Sequence, residues 1–176
     1  MDEPTDADLV DRSRRGDIDA FAELVRRHQD RVYHLACRMT QSPADAADLT
    51  QETFLRAHRK LHRYREGHSV GNWLLAMCAN LTKNMFRTRT RQRQADAGHA
   101  EMRVLQAPDR GHPDRPALEH ALARLDPKER AAVTLHYMEG LSLPEVAEVL
   151  RIGLSATKMR VHRGLRHMQT WLEDRS

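Results

Sequence analysis

The sequence predicts an all-α protein built as two small helical domains joined by a flexible linker. Three observations carry this reading. Apolar residues recur three and four positions apart along most of the chain, the period of a helix with one buried face. Ser, Thr or Asp followed by Pro or an acidic residue marks one helix start after another. Aromatic residues make up 5% and charged residues 31% of the chain, with Leu, Ala, Val and Met supplying the apolar side, which suits helical bundles better than β-sandwiches. A length of 176 residues fits one domain or two small ones and can bury a core. The net charge of +4 is mild, so where the charge sits matters more than its sum.

Thr5 to Gly16 reads as a first short helix, with Thr5 and Asp8 at capping-box spacing. A longer helix from about Asp19 to Met39 carries Phe21, Leu24, Val25, Val32, Leu35, Ala36 and Met39 on one face. Ser42, Pro43 and Asp45 open the next helix as cap, first-turn proline and dipole-matched acid. It displays Asp45, Asp48, Gln51 and Glu52 near its start and Arg56, Arg59 and Lys60 near its end, and Leu49, Phe54, Leu55 and Leu61 are expected inside. Dipole complementarity alone accounts for that charge order, and so does a partner-binding surface. Arg65 to Gly71 breaks the pattern as a Gly- and Ser-containing loop. From Asn72 onward helical spacing resumes, with Val70, Trp73, Leu74, Met77, Cys78, Leu81 and Met85 three or four apart, beside a stripe of Asn80, Asn84, Arg87 and Arg91. Lys83, Arg87, Arg89, Arg91 and Arg93 follow with no acid among them. Such a run is often just solvated, but amides on the same helix favour nucleic acid.

Residues 94–116 contain Gly98, Pro108, Gly111, Pro113 and Pro116 and little periodicity, which reads as a linker with a possible short helix at 100–105. Ala117 to Leu125 resumes an apolar face. Asp126, Pro127 and Glu129 supply N-cap, N1 proline and N3 acid for a helix reaching about Met138, stopped by Gly140. Ser142 and Glu145 form a second capping box, and a turn over Arg151, Ile152 and Gly153 leads into a last helix from Leu154 to Leu172. Two helices joined by so short a turn form a helix-turn-helix pattern. Leu154, Thr157, Val161, Gly164, Leu165, Met168 and Leu172 are expected to face inward. Ser155, Lys158, Met159, His162, Arg163 and Arg166 share the opposite face, which carries cations and no carboxylate, as a helix in the major groove requires.

Taken together these segments resemble the extracytoplasmic-function (group IV) sigma factors of the sigma-70 family, over nearly the whole chain. DAADLTQETFLRAHRKL (45–61), VGNWLLAMCANLTKNMFRTRTRQR (70–93) and ALARLDPKERAAVTLHYMEGLSLPEVAEVLRIGLSATKMRVHRGLRHM (121–168) carry the resemblance. It implies region 2 at 1–93, a linker at 94–116 threading the polymerase channel, and region 4 at 117–176. It further implies that Asp45, Asp48, Gln51 and Glu52 contact the β′ clamp helices of core RNA polymerase, with the β flap a second contact. The loop Glu66, Gly67, His68, Ser69, Val70 and Gly71 would hold a base flipped from the −10 promoter element, beside Asn80, Lys83, Asn84, Arg87 and Arg91. Ser155, Lys158, Met159, His162, Arg163 and Arg166 would face the −35 element. An anti-sigma factor covering both halves is the implied regulator. Val70 stands where Phe is common in the family, Asn84 where Asp is, and Arg151 where a turn Gly is frequent. A non-Gly residue at Arg151 either avoids positive φ or accepts strain there.

The remaining residues argue against other classes. Cys37 and Cys78 lie in apolar helical patterns and read as reduced core cysteines; no apolar run reaches the ~20 residues of a membrane span, and the acidic start lacks a signal-peptide layout. A cytoplasmic protein, monomeric when free, is expected, with no membrane insertion, cofactor, metal or catalytic residue. A stand-alone helix-turn-helix regulator explains the last third but gives no role to Asp45–Glu52 or the Trp73 helix. Eleven histidines raise the question of a metal site, and His58 and His62 have zinc-compatible spacing, but no second carboxylate ligand or HExxH motif accompanies them.

Overall fold

The computed structural model describes residues 3–65, 69–95 and 115–173. Among them every regular element is helical: α1 (Asp6–Arg14), α2 (Ile18–Thr40), α3 (Pro43–Lys60), α4 (Val70–Ala95), α5 (Arg115–Arg124), α6 (Pro127–Val133), α7 (Leu143–Leu150) and α8 (Leu154–Glu173). Glu66, Gly67, His68 and most of the expected linker, 96–114, lie outside the described residues.

The first bundle is built around α2, which packs against α1, α3 and α4. Local chemistry sets its boundaries. The Thr5–Asp8 capping box opens α1, Asp17 accepts from the Ala20 N–H at 3.0 Å to open α2, and Ser42 accepts from Asp45 to open α3. Gln41 ends α2 in the left-handed region at φ 57°. Leu24, Val32, Leu35, Ala36 and Met39 are buried as expected, while Phe21 and Val25 are only half-buried. Leu55 departs from expectation: it is 51% exposed on α3, because Leu49, Phe54 and Ala57 already fill the inward face. Arg14 donates to the carbonyls of Leu61 and Tyr64, fastening α1 to the end of the α3 segment.

Helix α4 begins earlier than the sequence suggested. Ser69 caps it, with its Oγ 3.3 Å from the Asn72 N–H, so Val70 and Gly71 lie in the first turn rather than in a loop. A Cβ on Gly71 would stand 2.8 Å from Arg31 Nη1 and 3.4 Å from His28 Nδ1, so glycine here permits the close approach of α2.

In the second bundle α8 packs on α5, α6 and α7. Asp126 caps α6 through the Lys128 N–H at 2.8 Å, and a π-turn over Thr134–Met138 follows the helix. The Ser142–Glu145 capping box opens α7, and Arg151 closes it at φ 53°, accepting left-handed strain of about 1 kcal/mol. Arg130 is buried without a carboxylate partner in its hydrogen bonds. Its guanidinium donates to the carbonyls of Leu122 (2.9 Å), Ala123 (2.7 Å) and Leu125 (2.9 Å), the negative end of α5. Burial pushes its pKa down from the ordinary arginine range.

Gly164 lies where α8 meets α6: an added Cβ would be 2.7 Å from Val133 Cγ2. Replacing Gly by Ala in a helix gains about 1 kcal/mol of propensity, but overpacking costs about 1–3 kcal/mol. Gly164→Ala is therefore expected to lower stability to urea by about 1 kcal/mol net, with the loss shrinking in a Val133→Ala background. A cycle showing no coupling between the two sites would contradict this packing.

Candidate nucleic-acid and partner interfaces

On α3, Asp48 and Gln51 are exposed, and Glu52 is half-buried and paired to Arg56 at 2.5 Å. Asp45 differs from its neighbours. Arg89 of α4 grips it with two hydrogen bonds of 2.7 Å, which hold its carboxyl below the usual carboxylate range. Asp45 therefore ties α3 to α4, and much of its charge is already met inside the bundle. Beside this acidic edge runs a groove of about 930 Å³ between α2 and α3, lined by Phe21, Val25, Tyr33, Phe54, Leu55 and His58, with Gln29, Asp30 and Gln51 among its polar residues. His58 meets Phe21 edge-on at 4.8 Å. The groove was not singled out in the sequence, although Phe21, Val25 and Leu55 extend the apolar pattern past what the core needs.

On α4 the predicted residues divide. Lys83, Asn84, Arg87 and Arg91 are exposed, forming a cationic stripe with one amide. Asn80 spends its side-chain N–H on the Ala76 carbonyl at 2.7 Å. Val70 is 4% exposed and Gly71 is buried against α2, so neither presents a surface to a base in this conformation. Ser69 is taken up as the α4 cap.

On α8 the predicted division of faces is largely met. Ser155, Lys158, Met159, His162, Arg163 and Arg166 are all exposed, and Thr157, Val161, Gly164 and Met168 are buried. Met159 is 59% exposed, with its sulfur 3.7 Å from Arg163 Nη2. Leu154 and Leu172, expected inside, are exposed because they lie at the two ends of α8.

Glu129 was expected to complete a capping box on α6. Instead it is buried and turned toward α8, with His167 Nδ1 at 2.9 Å and Arg163 Nε at 3.8 Å. A buried carboxylate thus lies beneath α8 and meets Arg163 of the predicted face and the neighbouring His167. Its position as the third residue of a helix masked this role in the sequence. Among the described residues, no three His, Cys, Asp or Glu side chains are grouped to hold a metal ion, and no helix is long and apolar enough to cross a membrane.

Residues 24–92 match the family model for Sigma-70 region 2, and residues 115–168 match Sigma-70, region 4. The chain is 38% identical to the ECF RNA polymerase sigma factor SigE of Mycolicibacterium smegmatis, over 99% of this chain and 70% of that protein. It is 35% identical to the RNA polymerase sigma factor CarQ of Myxococcus xanthus, over 93% of this chain and 95% of that one. The fold is similar to that of the sigma factor RpoE in its co-crystal structure with the anti-sigma factor NepR from Bartonella quintana, at TM-score 0.77 and 23% identity, covering 89% of this chain and 98% of that chain.

The Asp45–Arg89 pair can be tested by titration. Its folded-state pKa lies below the unfolded value, so its contribution to stability is complete above the ordinary carboxylate pKa of about 3.9 and is lost as pH falls through the lowered value. In Arg89→Gln, the Asp45 carboxyl carbon followed by NMR should titrate at higher pH than in the wild type. An unshifted titration would show that Arg89 does not hold it.

Proposed function

Because the chain belongs to the extracytoplasmic-function RNA polymerase sigma factors, a family of transcription initiation factors, we propose that it mounts on core RNA polymerase and directs it to a promoter through two separate reading surfaces. The observation that carries the reading is the paired display: an outward α8 face of cations without carboxylates, and a second basic and amide stripe on α4. A stand-alone helix-turn-helix regulator needs only the first.

The division of labour follows the bundles, with region 2 at 1–93, a linker at 94–116 and region 4 at 117–176. Asp48, Gln51 and the apolar groove beside them suit the clamp helices of the β′ subunit. Exposed Leu55 offers apolar area, and Asp48 and Glu52 add negative charge. Asp45 contributes mainly by holding α3 against α4. Lys83, Asn84, Arg87 and Arg91 lie against the −10 strand and its phosphates. Ser69, Val70 and Gly71 are taken up by the start of α4, which leaves Glu66, Gly67 and His68 as the proposed contacts to a flipped base, whose extrusion costs a few kcal/mol. Lys158, Arg163 and Arg166 meet −35 phosphates or guanine edges, and Met159 suits a thymine methyl. Region 4 also supplies the contact to the β flap. An anti-sigma factor is the proposed regulator, as the relative crystallised with NepR has one, and the cytoplasm is the proposed compartment.

Run-off transcription with purified core polymerase on a promoter library tests the function directly; no transcript above that of core alone would overturn it. Leu55→Glu should weaken retention on core polymerase at least tenfold, about 1.4 kcal/mol, with unchanged helicity, since the side chain is exposed in the free chain. Arg163→Glu should weaken promoter binding by the holoenzyme and flatten its salt dependence by about one unit of log–log slope, because each phosphate contact releases about 0.9 counterions. An unchanged slope would mean that Arg163 contacts no phosphate.

A further inference from the structure

Glu129 is an acid beneath a face that suits DNA phosphates, where a negative charge works against binding. It does not do the local work that its position offers. The cap of α6 is Asp126, which accepts from the Lys128 N–H at 2.8 Å, while the Glu129 side chain is only 8% exposed and reaches α8. Its Oε2 is 2.9 Å from His167 Nδ1, and its Oε1 is 3.8 Å from Arg163 Nε. Gly164 makes this reach possible. An added Cβ there would stand 3.5 Å from Glu129 Cβ and 2.7 Å from Val133 Cγ2. The missing side chain therefore lets α6 lie close enough for Glu129 to enter between Arg163 and His167.

Arg163 is held at a second point, since its Nη2 is 3.7 Å from Met159 Sδ, one turn back on the same face. Among the described residues, Arg163 is the one cation of the predicted α8 face with a carboxylate in ion-pair range. Packing alone does not call for an acid here, because an apolar side chain of similar volume often serves as well as a buried ion pair. The carboxylate is better explained by what it does to its partners. An exposed arginine samples many rotamers and loses that freedom when it binds. With Nε turned toward Glu129 and Nη2 against Met159, the guanidinium of Arg163 is restricted in plane, yet the side chain stays 60% exposed. Resting on the reading of the chain as a sigma factor, we propose that Glu129 is a positioning residue for −35 recognition. It holds Arg163 in the rotamer that meets DNA, and His167 keeps the carboxylate from turning away. Arg163 makes the contact, and Glu129 acts only through it, as a supporting side chain that fixes the geometry of a binding one.

A double-mutant cycle on promoter binding separates this role from packing. Glu129→Gln keeps the shape of the side chain and removes its charge. Mounted on core polymerase, this variant should hold the best promoter of the library at least fivefold more weakly than the wild type. In an Arg163→Ala background the same change should cost less than twofold. Equal losses in the two backgrounds would assign Glu129 to packing and overturn the proposal, and so would no loss in the first. A second measurement uses the free wild-type chain and needs no variant. By NMR, the Arg163 Nε–H proton should exchange with water at least threefold more slowly than that of exposed Arg166; equal rates would overturn the proposal even where Glu129→Gln fails to fold. A wild-type holoenzyme that binds no promoter would remove the sigma-factor reading and the proposal together, and that control tells this failure apart from the others.

Discussion

The apolar stripe of α2 is the interaction on which the rest of the structure depends. Leu24, Val32, Leu35, Ala36 and Met39 are buried on one helix that touches α1, α3 and α4. Each such large side chain contributes about 1.5–3 kcal/mol when removed from water, more than any single exposed ion pair here. The same helix turns Arg31 and Arg38 toward the second bundle. One element thereby fixes the acidic edge of α3, the basic stripe of α4 and the seat of region 4.

The charged residues sort by what meets them. Asp45, Arg89 and Asn80 are consumed by contacts within the first bundle, and Arg130 by the carbonyl end of α5. Glu129 is spent on Arg163 and His167. Among the described residues, a short acidic and apolar edge on α3 and two basic faces remain outward. A protein with surfaces of this kind gains little from binding DNA alone, since phosphate contacts are sequence-independent and salt-sensitive. In the proposed function these faces act together as one reader once mounted on polymerase.

The capping residues were the most legible part of the sequence. Thr5, Ser42, Asp126 and Ser142 each start the helix expected of them, because a cap acts on the next three residues and needs no tertiary context. The outward face of α8 was legible for a similar reason, since helical spacing decides which side chains share a face. Three of the misses involve a second element. Gly71 looked like a loop glycine until α2 came within contact distance, and Glu129 looked like a capping acid until α8 lay across it. Leu55 looked like core until the groove between α2 and α3 left it uncovered.

By itself the sequence determined the helices, their order, most of their caps and the segregation of cations on α4 and α8, all of which follow from interactions spanning about four residues. Only the tertiary structure decided which charges stay available and how region 4 sits on region 2. Burial and pairing join residues as far apart as Arg31 and Glu139, and no local spacing encodes that distance.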